Sequence, residues 1–252
     1  MSLPRFFAPE IVRPETCLDP DESYHLGSVW RLKAGDSIFL INGQGEEWRA
    51  RVLRVERGRV WVCPEVLHRT EAEPEFELEI LIPLLKGGRT EFLVEKATEL
   101  GATRILPFVS QYAVAKPGDR TGERLWKRTI QALKQSGRLW FPAIESPRPL
   151  EEVLKTVRSR HRYFACEKYG PFLSEVFQVF EIFPRRIALA SGPEGGFSEK
   201  EIAAFRKAGF KAVSLGPYIL RAETAAFFML AIWRYQVLKS LSSFKEAVKP
   251  SV

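Results

Sequence analysis

Two short apolar runs in the C-terminal half of the sequence each end in a glycine-bearing loop, and each loop leads into a helical pattern. Arg185–Ala190 precedes Gly192-Pro-Glu-Gly-Gly196, and Lys211–Leu215 precedes Gly216-Pro217. Apolar runs of this length that alternate with helical patterns indicate buried parallel strands. Open α/β sheets bind ligands in the loops that follow the carboxyl ends of their strands. We therefore expect the functional site to lie in these two loops.

The residues of the two loops favour a ligand without phosphate groups. The first loop has neither the GK[ST] ending of a P-loop nor the spacing of a dinucleotide fingerprint. Pro193 offers no N–H, and Glu194 would repel a phosphate. In the second loop Ile219 and Leu220 supply an apolar wall beside polar groups. An adenosine moiety fits this chemistry, although the glycine spacing alone favours a plain turn.

The segment before these loops predicts a strand, a helix and a second strand. Leu78–Leu85 and Arg104–Val109 are the strands, and Thr90–Leu100 is the helix between them. Thr90 is the expected N-cap, and Gly101 stands where a C′ glycine belongs. This order implies a parallel sheet with a right-handed crossover.

Further helices are predicted on both sides of the loops. Ser198-Glu-Lys-Glu201 forms a capping box for a helix that stops at Gly209. Thr224 is the expected cap of a last helix that runs to about Leu238, and Ser240–Val252 is expected to fray. The remaining predicted elements are helices at Glu123–Lys134, Leu150–Arg158 and Phe172–Phe180 and a strand at Arg162–Cys166.

The first part of the chain, to about residue 70, predicts a small β-rich domain. Its strands are Ser37–Ile41, Trp48–Val55 and Arg59–Cys63, with turn signals at Asn42-Gly43 and Arg57-Gly58. Acidic Arg69–Glu79 is the expected linker, so we place the domain boundary between residues 72 and 73.

The strand alternation places Arg49 and Arg51 on one face of this domain. A phosphate-binding surface would explain them, because arginine suits phosphate geometry. The alternative is a solvated strand face that is partly neutralised by Glu46, Glu47 and Glu56.

Composition limits the class of protein. The 252 residues carry a net charge of +7, which fits either a polyanionic partner such as nucleic acid or a basic enzyme. Three cysteines and three histidines lie far apart, which argues against a disulfide framework and a metal site and fits a reducing cytosol. The longest apolar run, Ala225–Trp233, is too short to span a bilayer, and Met1–Arg5 lacks a signal-peptide core. We expect a cytoplasmic protein.

Several motifs, taken in order, resemble the RsmE family of 16S ribosomal RNA uridine-N3 methyltransferases. The two loops match the family's GPEGG and LGxxILRxETA segments, here Gly192–Gly196 and Leu215–Ala225. Glu95–Gly101 and Gln135–Arg138 resemble its KxxELG and QSxR segments. Pro4-Arg-Phe6 and His25–Arg31 resemble its N-terminal elements. Each motif is weak alone, but the ordered set is specific.

The resemblance implies a fold and a set of partners. The fold class would be α/β, a C-terminal SPOUT domain with a deep trefoil knot and an N-terminal PUA-like β-barrel. The protein would be a homodimer that binds S-adenosylmethionine (SAM) in the two loops and acts on 16S ribosomal RNA of the small ribosomal subunit. The implied cofactor-binding residues are Leu189, Ser191, Gly192, Pro193, Glu194, Gly195, Gly196, Leu215, Gly216, Ile219, Leu220, Arg221, Thr224 and Ala225. The implied RNA-binding residues are Arg5, Arg31, Arg49, Arg51, Lys86 and Arg138.

The expected reaction is an in-line methyl transfer from SAM to uracil N3, which needs no metal. Arg221 would stabilise negative charge on the uracil carbonyls, and Glu194 or Glu223 would accept the N3 proton. Glu223 is equally well explained as a helix cap. The alternatives are a SPOUT methyltransferase for another RNA and a non-catalytic RNA-binding or assembly protein. Gln111, Tyr112 and Tyr218 depart from residues common in the family.

Overall fold

The computed structural model describes residues 3–113, 115–167 and 170–247, apart from the side chains of 243–247. Its contacts group the chain into two units. The first contains the residues up to Pro74 together with Ile130–Phe141, and the second contains Glu75–Thr129 and the chain from Pro142 onward. The predicted boundary after residue 72 stays a prediction. Residues 130–141, which lie beyond that boundary in the sequence, group with the N-terminal unit.

The first unit is built on a five-stranded sheet with the order β1-β3-β4-β5-β2, in which only β1 and β3 pair in parallel. Its elements are β1 Arg5–Phe7, β2 Thr16–Cys17, α1 Pro20–Tyr24, a π-helical turn at His25–Val29, β3 Ser37–Ile41, β4 Glu46–Glu56 and β5 Arg59–Thr70.

The predicted β-rich domain is confirmed, with one change in its extent. Strand β3 has the predicted bounds, and Arg57-Gly58 makes a tight turn in which both φ angles are positive, 48° and 74°. Strand β5, however, continues beyond Cys63 to Thr70. Part of the predicted linker is therefore strand, because its side chains pair across the sheet with β4. Only residues 71–76 separate β5 from the next strand.

A buried ion pair stabilises the first unit from within. Lys134 Nζ lies 2.6 Å from Glu22 Oε1, and both side chains are almost fully buried. The second oxygen of Glu22 accepts the backbone N–H of Phe7 at 2.9 Å. Burial, and then the charge of Lys134, lower the pKa of the neighbouring His25. Glu22 therefore depends on Lys134, since a buried carboxylate without a cation is costly.

The second unit is a seven-stranded sheet in which every described pairing is parallel, with the order β12-β10-β11-β6-β7-β8 and with β9 also paired to β7. Its elements are β6 Glu77–Pro83, α2 Arg89–Leu100, β7 Arg104–Val109, α3 Thr121–Ser136 (whose residues from Ile130 onward group with the first unit), β8 Ala143–Ile144, β9 Arg148–Pro149, α4 Leu150–Thr156, β10 His161–Ala165, α5 Leu173–Gln178, β11 Arg186–Ala190, α6 Glu199–Lys207, β12 Lys211–Val213 and α7 Ala222–Ala247.

Helices cover both faces of this sheet, so the predicted parallel α/β class is confirmed. The core on one face joins the strands to α2, α5 and α7, with Trp233 of α7 among its largest buried side chains. The core on the other face joins them to α4 and α6 and is rich in phenylalanine. Strand β7 has the predicted bounds, and Gly101 ends α2 at a φ of 104°.

Two predicted helix caps are wrong. Gly88 is the N-cap of α2, and Thr90 is the buried second residue of the helix, where its hydroxyl accepts the N–H of Leu85 at 2.7 Å. The N–H of Ala225 donates to the carbonyl of Arg221 at 2.8 Å, so α7 begins before Thr224. In both places the backbone enters the helix earlier than the side-chain signal suggests.

Helix α7 is also longer than predicted, since it continues beyond Leu238 to Ala247. The rest of the segment that was expected to fray lies outside the described residues. Among the helices that are described, none is long and apolar enough to cross a membrane.

Replacing Lys134 by Met should lower the free energy of unfolding by about 3 kcal/mol, because Glu22 would remain buried without its cation. Lys127→Met on the same helix is the matched control, since Lys127 forms an exposed i,i+4 pair with Glu123 and should cost under about 0.5 kcal/mol. Urea denaturation and hydrogen exchange at the Phe7 amide measure the difference. Equal losses in both variants would contradict a role for the buried pair.

Candidate active site

Three loops meet at the carboxyl ends of adjacent parallel strands. Strand β10 lies between β12 and β11, so the loops that follow these strands lie side by side. They surround a cavity of about 210 Å³. The residues that line it are Ala165, Cys166, Glu167, Gly192, Pro193, Gly195, Gly196, Phe197, Ile202, Ser214, Leu215, Gly216, Pro217, Tyr218, Ile219, Leu220, Ala222 and Ala225.

Most of the predicted cofactor residues line this cavity. They are Gly192, Pro193, Gly195, Gly196, Leu215, Gly216, Ile219, Leu220 and Ala225. The others lie around it rather than in its lining. Leu189 is in the core and Ser191 is buried at the end of β11, whereas Glu194, Arg221 and Thr224 are exposed.

The loop after β10 was missed by the sequence analysis. Ala165, Cys166 and Glu167 line the cavity because β10 is hydrogen-bonded between the two strands that carry the glycine loops. The strand itself was predicted, but no local pattern shows which strands are neighbours in a sheet. A second contribution that was missed is Phe197, together with Ile202 of the following helix.

The first glycine loop rests on an aromatic cluster. The ring of Phe197 lies 4.8 Å from that of Phe205 and 5.9 Å from that of Phe164. A Cβ atom added at Gly192 would lie only 3.2 Å from the ring of Phe197. Glycine at this position therefore lets the backbone of the loop lie directly against the half-buried ring of Phe197.

Glu201 holds the same loop from its other end and connects it to the loop after β7. Its carboxylate completes the predicted capping box by accepting the N–H and hydroxyl of Ser198. It also accepts the hydroxyl of Ser110 at 2.7 Å and the N–H of Gln111 at 2.9 Å. Tyr112 follows, and a Cβ atom added at Gly195 would lie 3.7 Å from its Cβ. One buried carboxylate thus positions two loops.

The predicted catalytic carboxylates lie on either side of one arginine. Arg89, at the start of α2, donates a hydrogen bond to Glu194 from the first glycine loop. Its other terminal nitrogen lies 3.9 Å from Oε2 of Glu223 in the first turn of α7. That oxygen is buried and accepts no hydrogen bond from the described residues. Glu194 and Glu223 were predicted from the sequence, whereas Arg89 was not. It lies far from both in the chain, and only the fold brings the three together.

The predicted RNA-binding residues fall in both units. Arg49 and Arg31 are exposed in the first unit, and Lys86 is exposed in the second. Arg51 and Arg5 already have acidic partners, since Arg51 Nε lies 2.7 Å from Glu65 and Arg5 Nε lies 2.6 Å from Glu47. The hydrogen bond from Arg51 lowers the pKa of the Glu65 carboxyl.

The expected alternation of β4 is confirmed. Of the expected neutralising groups, Glu56 lies 3.6 Å from Arg54, and two further glutamates contribute. Glu65 of β5 faces Arg51, and Glu15 accepts two hydrogen bonds from Arg54. Arg138 is half-buried in the first unit. In the described parts of the chain, no group of three His, Cys, Asp or Glu side chains is arranged to hold a metal ion.

The family models and the relatives that match this chain point to the same methyltransferase family. An RNA methyltransferase domain model matches residues 72–234, and an RNA methyltransferase PUA domain model matches residues 18–62. The ribosomal RNA small subunit methyltransferase E of Synechocystis sp. is 32% identical over 229 residues, which cover 89% of this chain and 74% of the relative. This chain belongs to the ribosomal RNA small subunit methyltransferase E family. The similarly named protein of Bacillus subtilis is 27% identical, with 88% and 91% of the two chains covered.

Solved structures give the same fold. The Legionella pneumophila protein Lpg2936, solved with bound SAM, superposes with a TM-score of 0.85 at 26% identity and covers 93% of this chain and 98% of its own. The family member from Neisseria gonorrhoeae, also bound to SAM, superposes with a TM-score of 0.79 at 28% identity, with 94% and 98% covered. The PUA and SPOUT domains implied by the motifs are thus confirmed for this methyltransferase.

Glu201→Ala should lower the free energy of unfolding by about 3 kcal/mol, because several buried donors lose their acceptor. Amide exchange at Gln111 should accelerate as its loop loosens. Glu199→Ala, in the exposed first turn of the same helix, should cost only about 0.5 kcal/mol. Chemical denaturation and amide exchange compare the variants. If Glu201→Ala behaves like Glu199→Ala, the carboxylate does not position the loops.

Proposed function

We propose that this protein transfers the methyl group of SAM to N3 of a specific uridine in the 16S ribosomal RNA of the small subunit. The observation that carries the proposal is the cavity bounded by backbone-rich loops at three strand ends, with an unsatisfied carboxylate oxygen on a helix that lines it. Membership of the family and the SAM-bound relatives support the cofactor. The predicted cofactor residues would hold SAM mainly through their main-chain groups.

Glu223 is the better of the two candidate proton acceptors. Glu194 is half-exposed and already paired with Arg89. The Glu223 side chain is only 16% exposed, and its Oε2 lacks a hydrogen-bond donor. A buried acceptor without a donor is costly in the free protein, and the N3–H of uracil would satisfy it. Glu223 would accept the N3 proton, and the electron pair of N3 would form the new bond to the methyl carbon while the carbon–sulfur bond of SAM breaks and the neutral thioether, S-adenosylhomocysteine, leaves.

Arg221 would stabilise the charge that develops on the uracil carbonyls. It lies immediately before α7, between the second loop and Glu223, and it is exposed. A guanidinium can donate to carbonyl oxygens in the plane of the base. Alignment of the methyl donor with the base would provide much of the remaining acceleration.

Two tyrosines at the cavity are suited to hold the base. Tyr218 lines the cavity and is 81% exposed, and Tyr112, beside Gly195, is 55% exposed. Proteins recognise unstacked RNA bases by stacking them on aromatic side chains. Tyr112 and Tyr218, two of the positions that depart from residues common in the family, would therefore bind the extruded base through its ring face.

The basic residues would bind the flanking RNA. Arg31, Arg49 and Lys86 have exposed side chains for phosphate contacts, whereas Arg5 and Arg51 would have to exchange a carboxylate partner for a phosphate. Arg138 remains the candidate that a second subunit would contribute. With ribosomal RNA as its substrate, the protein would act in the cytoplasm.

An apolar surface on α2 and α7 supports a homodimer. Phe92, Phe228, Tyr235 and Leu238 are all exposed, and the ring of Phe92 packs edge-on against Phe227. Exposed aromatic and aliphatic side chains on packed neighbouring helices are typical of obligate interfaces. A second copy of the chain would bury them.

The proposal is tested by tritium transfer from labelled SAM to small ribosomal subunits from cells that lack the gene, followed by nucleoside analysis. Label in 3-methyluridine of 16S RNA is the expected result. Label in another nucleoside or in transfer RNA would change the substrate but keep the enzyme class. SAM binding without transfer to any RNA would contradict the proposed acceptor, and no SAM binding would leave a non-catalytic RNA-binding protein.

Glu223→Gln should lower kcat about 100-fold or more, because the amide cannot accept the N3 proton. The dissociation constant for SAM should change less than about threefold, since the removed group acts on the acceptor base. Glu151→Gln, in the exposed first turn of α4, is the matched control and should leave kcat unchanged. Isothermal titration and single-turnover kinetics separate the two effects. A fully active Glu223→Gln variant would leave Glu223 as only a first-turn residue of α7.

A further inference from the structure

The guanidinium of Arg89 is held in a defined orientation by its own loop. Its Nε donates to the carbonyl of Lys86 at 3.0 Å. Gly87 and Gly88 have φ angles of 68° and 76°, a conformation that turns the chain sharply into α2. On the other side of this turn, buried Thr90 ties α2 to Leu85. Because this backbone hydrogen bond uses only Nε, the two terminal nitrogens of Arg89 are available to interact with other groups.

These two nitrogens lie near carboxylates from two different segments, the first glycine loop and the first turn of α7. One donates to Glu194, between the cavity-lining residues Pro193 and Gly195. The other lies 3.9 Å from Glu223, beyond hydrogen-bond length but within ion-pair distance. Arg89 thus attracts Glu223 without donating a hydrogen bond to its buried Oε2.

We propose that Arg89 is a positioning residue that holds Glu194 away from the approaching base and orients the carboxylate of Glu223 toward it. The proposal rests on the proposed role of Glu223. Without Arg89, two carboxylates would lie near each other and near an incoming polyanion with no intervening cation. With Arg89 in place, Glu194 is neutralised by a direct hydrogen bond, and Oε2 of Glu223 accepts no hydrogen bond from the described residues.

Arg89 would therefore act through Glu223 rather than on the substrate. A direct contact with RNA would appear as weaker RNA binding, whereas a positioning role would appear in kcat. The charged groups of the site are Arg89 on α2, Glu194 on the loop after β11, and Arg221, two residues before Glu223.

A double-mutant cycle on the full-length protein tests the coupling. Arg89→Met should lower kcat about 100-fold and change KM for RNA and the dissociation constant for SAM less than about threefold. In the Glu223→Gln background, Arg89→Met should lower kcat by less than about threefold, because the effects of residues that act as one unit are not additive. Arg89→Lys, which keeps the charge, should have a kcat about tenfold higher than that of Arg89→Met.

Arg186→Met is the matched control, because Arg186 forms an exposed ion pair with Glu77 at the amino end of β11, away from the loops. It should leave kcat within about twofold of the parent value. The positioning role would be overturned if the kcat losses of Arg89→Met and Glu223→Gln multiplied in the double variant. It would also be overturned if Arg89→Met changed only KM. Circular dichroism of each variant excludes misfolding, and Arg89→Lys carries the test if Arg89→Met does not fold.

A readout that does not depend on RNA separates this inference from the proposed function. In carbon-13-glutamate-labelled protein, the signal that disappears in Glu223→Gln reports the carboxylate directly. The chemical shift of this signal should change in Arg89→Met and not in Arg186→Met, because the cation 3.9 Å from the carboxylate is removed. If the protein methylates no RNA but the signal moves in Arg89→Met, Arg89 still positions Glu223 and only the substrate assignment fails. An unchanged signal overturns the inference.

Discussion

The parallel pairing of β10 with both β11 and β12 is the constraint on which the site depends. These three strands are not ordered in the sheet as in the sequence, and β10 lies in the middle. Their carboxyl ends therefore share one edge, where three loops with few long side chains form a common cavity. If β12 paired elsewhere, the second glycine loop would be removed from the first, and each loop alone would be an ordinary turn.

Buried groups beneath the loops give them a defined shape. Phe197 extends from the first loop into the aromatic core around Phe164 and Phe205. Glu201 gathers donors from Ser198, Ser110 and Gln111 into one buried carboxylate. Such anchors matter because a ligand that is bound mainly by main-chain groups requires a backbone that is already in place.

The pairing of charged groups distinguishes structural from functional residues in this protein. Glu22 and Glu47 are buried in the first unit with cationic partners, so they support the fold. Around the cavity one arginine lies beside two carboxylates, and one carboxylate oxygen has no donor among the described residues. A buried acceptor without a donor is rare and requires an explanation, and the proposed role of Glu223 as proton acceptor provides one.

The sequence by itself determined the features that depend on neighbouring residues. These include strand β7, the glycine that ends α2, the capping box at Ser198 and the two glycine loops, whose signals are all local. It also identified the family, because several weak motifs occur in a fixed order. Thr90 and Thr224 misled the cap assignments, because both lie within the first turn of a helix that has already begun. The hydroxyl of Thr90 bonds to Leu85 ahead of α2, and the N–H of Ala225 donates to Arg221 ahead of α7.

Only the tertiary structure decided which distant residues meet. The third loop of the cavity, the grouping of residues 130–141 with the first unit, and the approach of Arg89 to Glu194 and Glu223 all join segments that are remote in the chain. Periodicity and turn signals report which face of an element is buried, but they do not report its neighbour. Strand order and long-range ion pairs arise from packing of the whole domain. The set of residues that form the site could therefore be identified only from the three-dimensional structure.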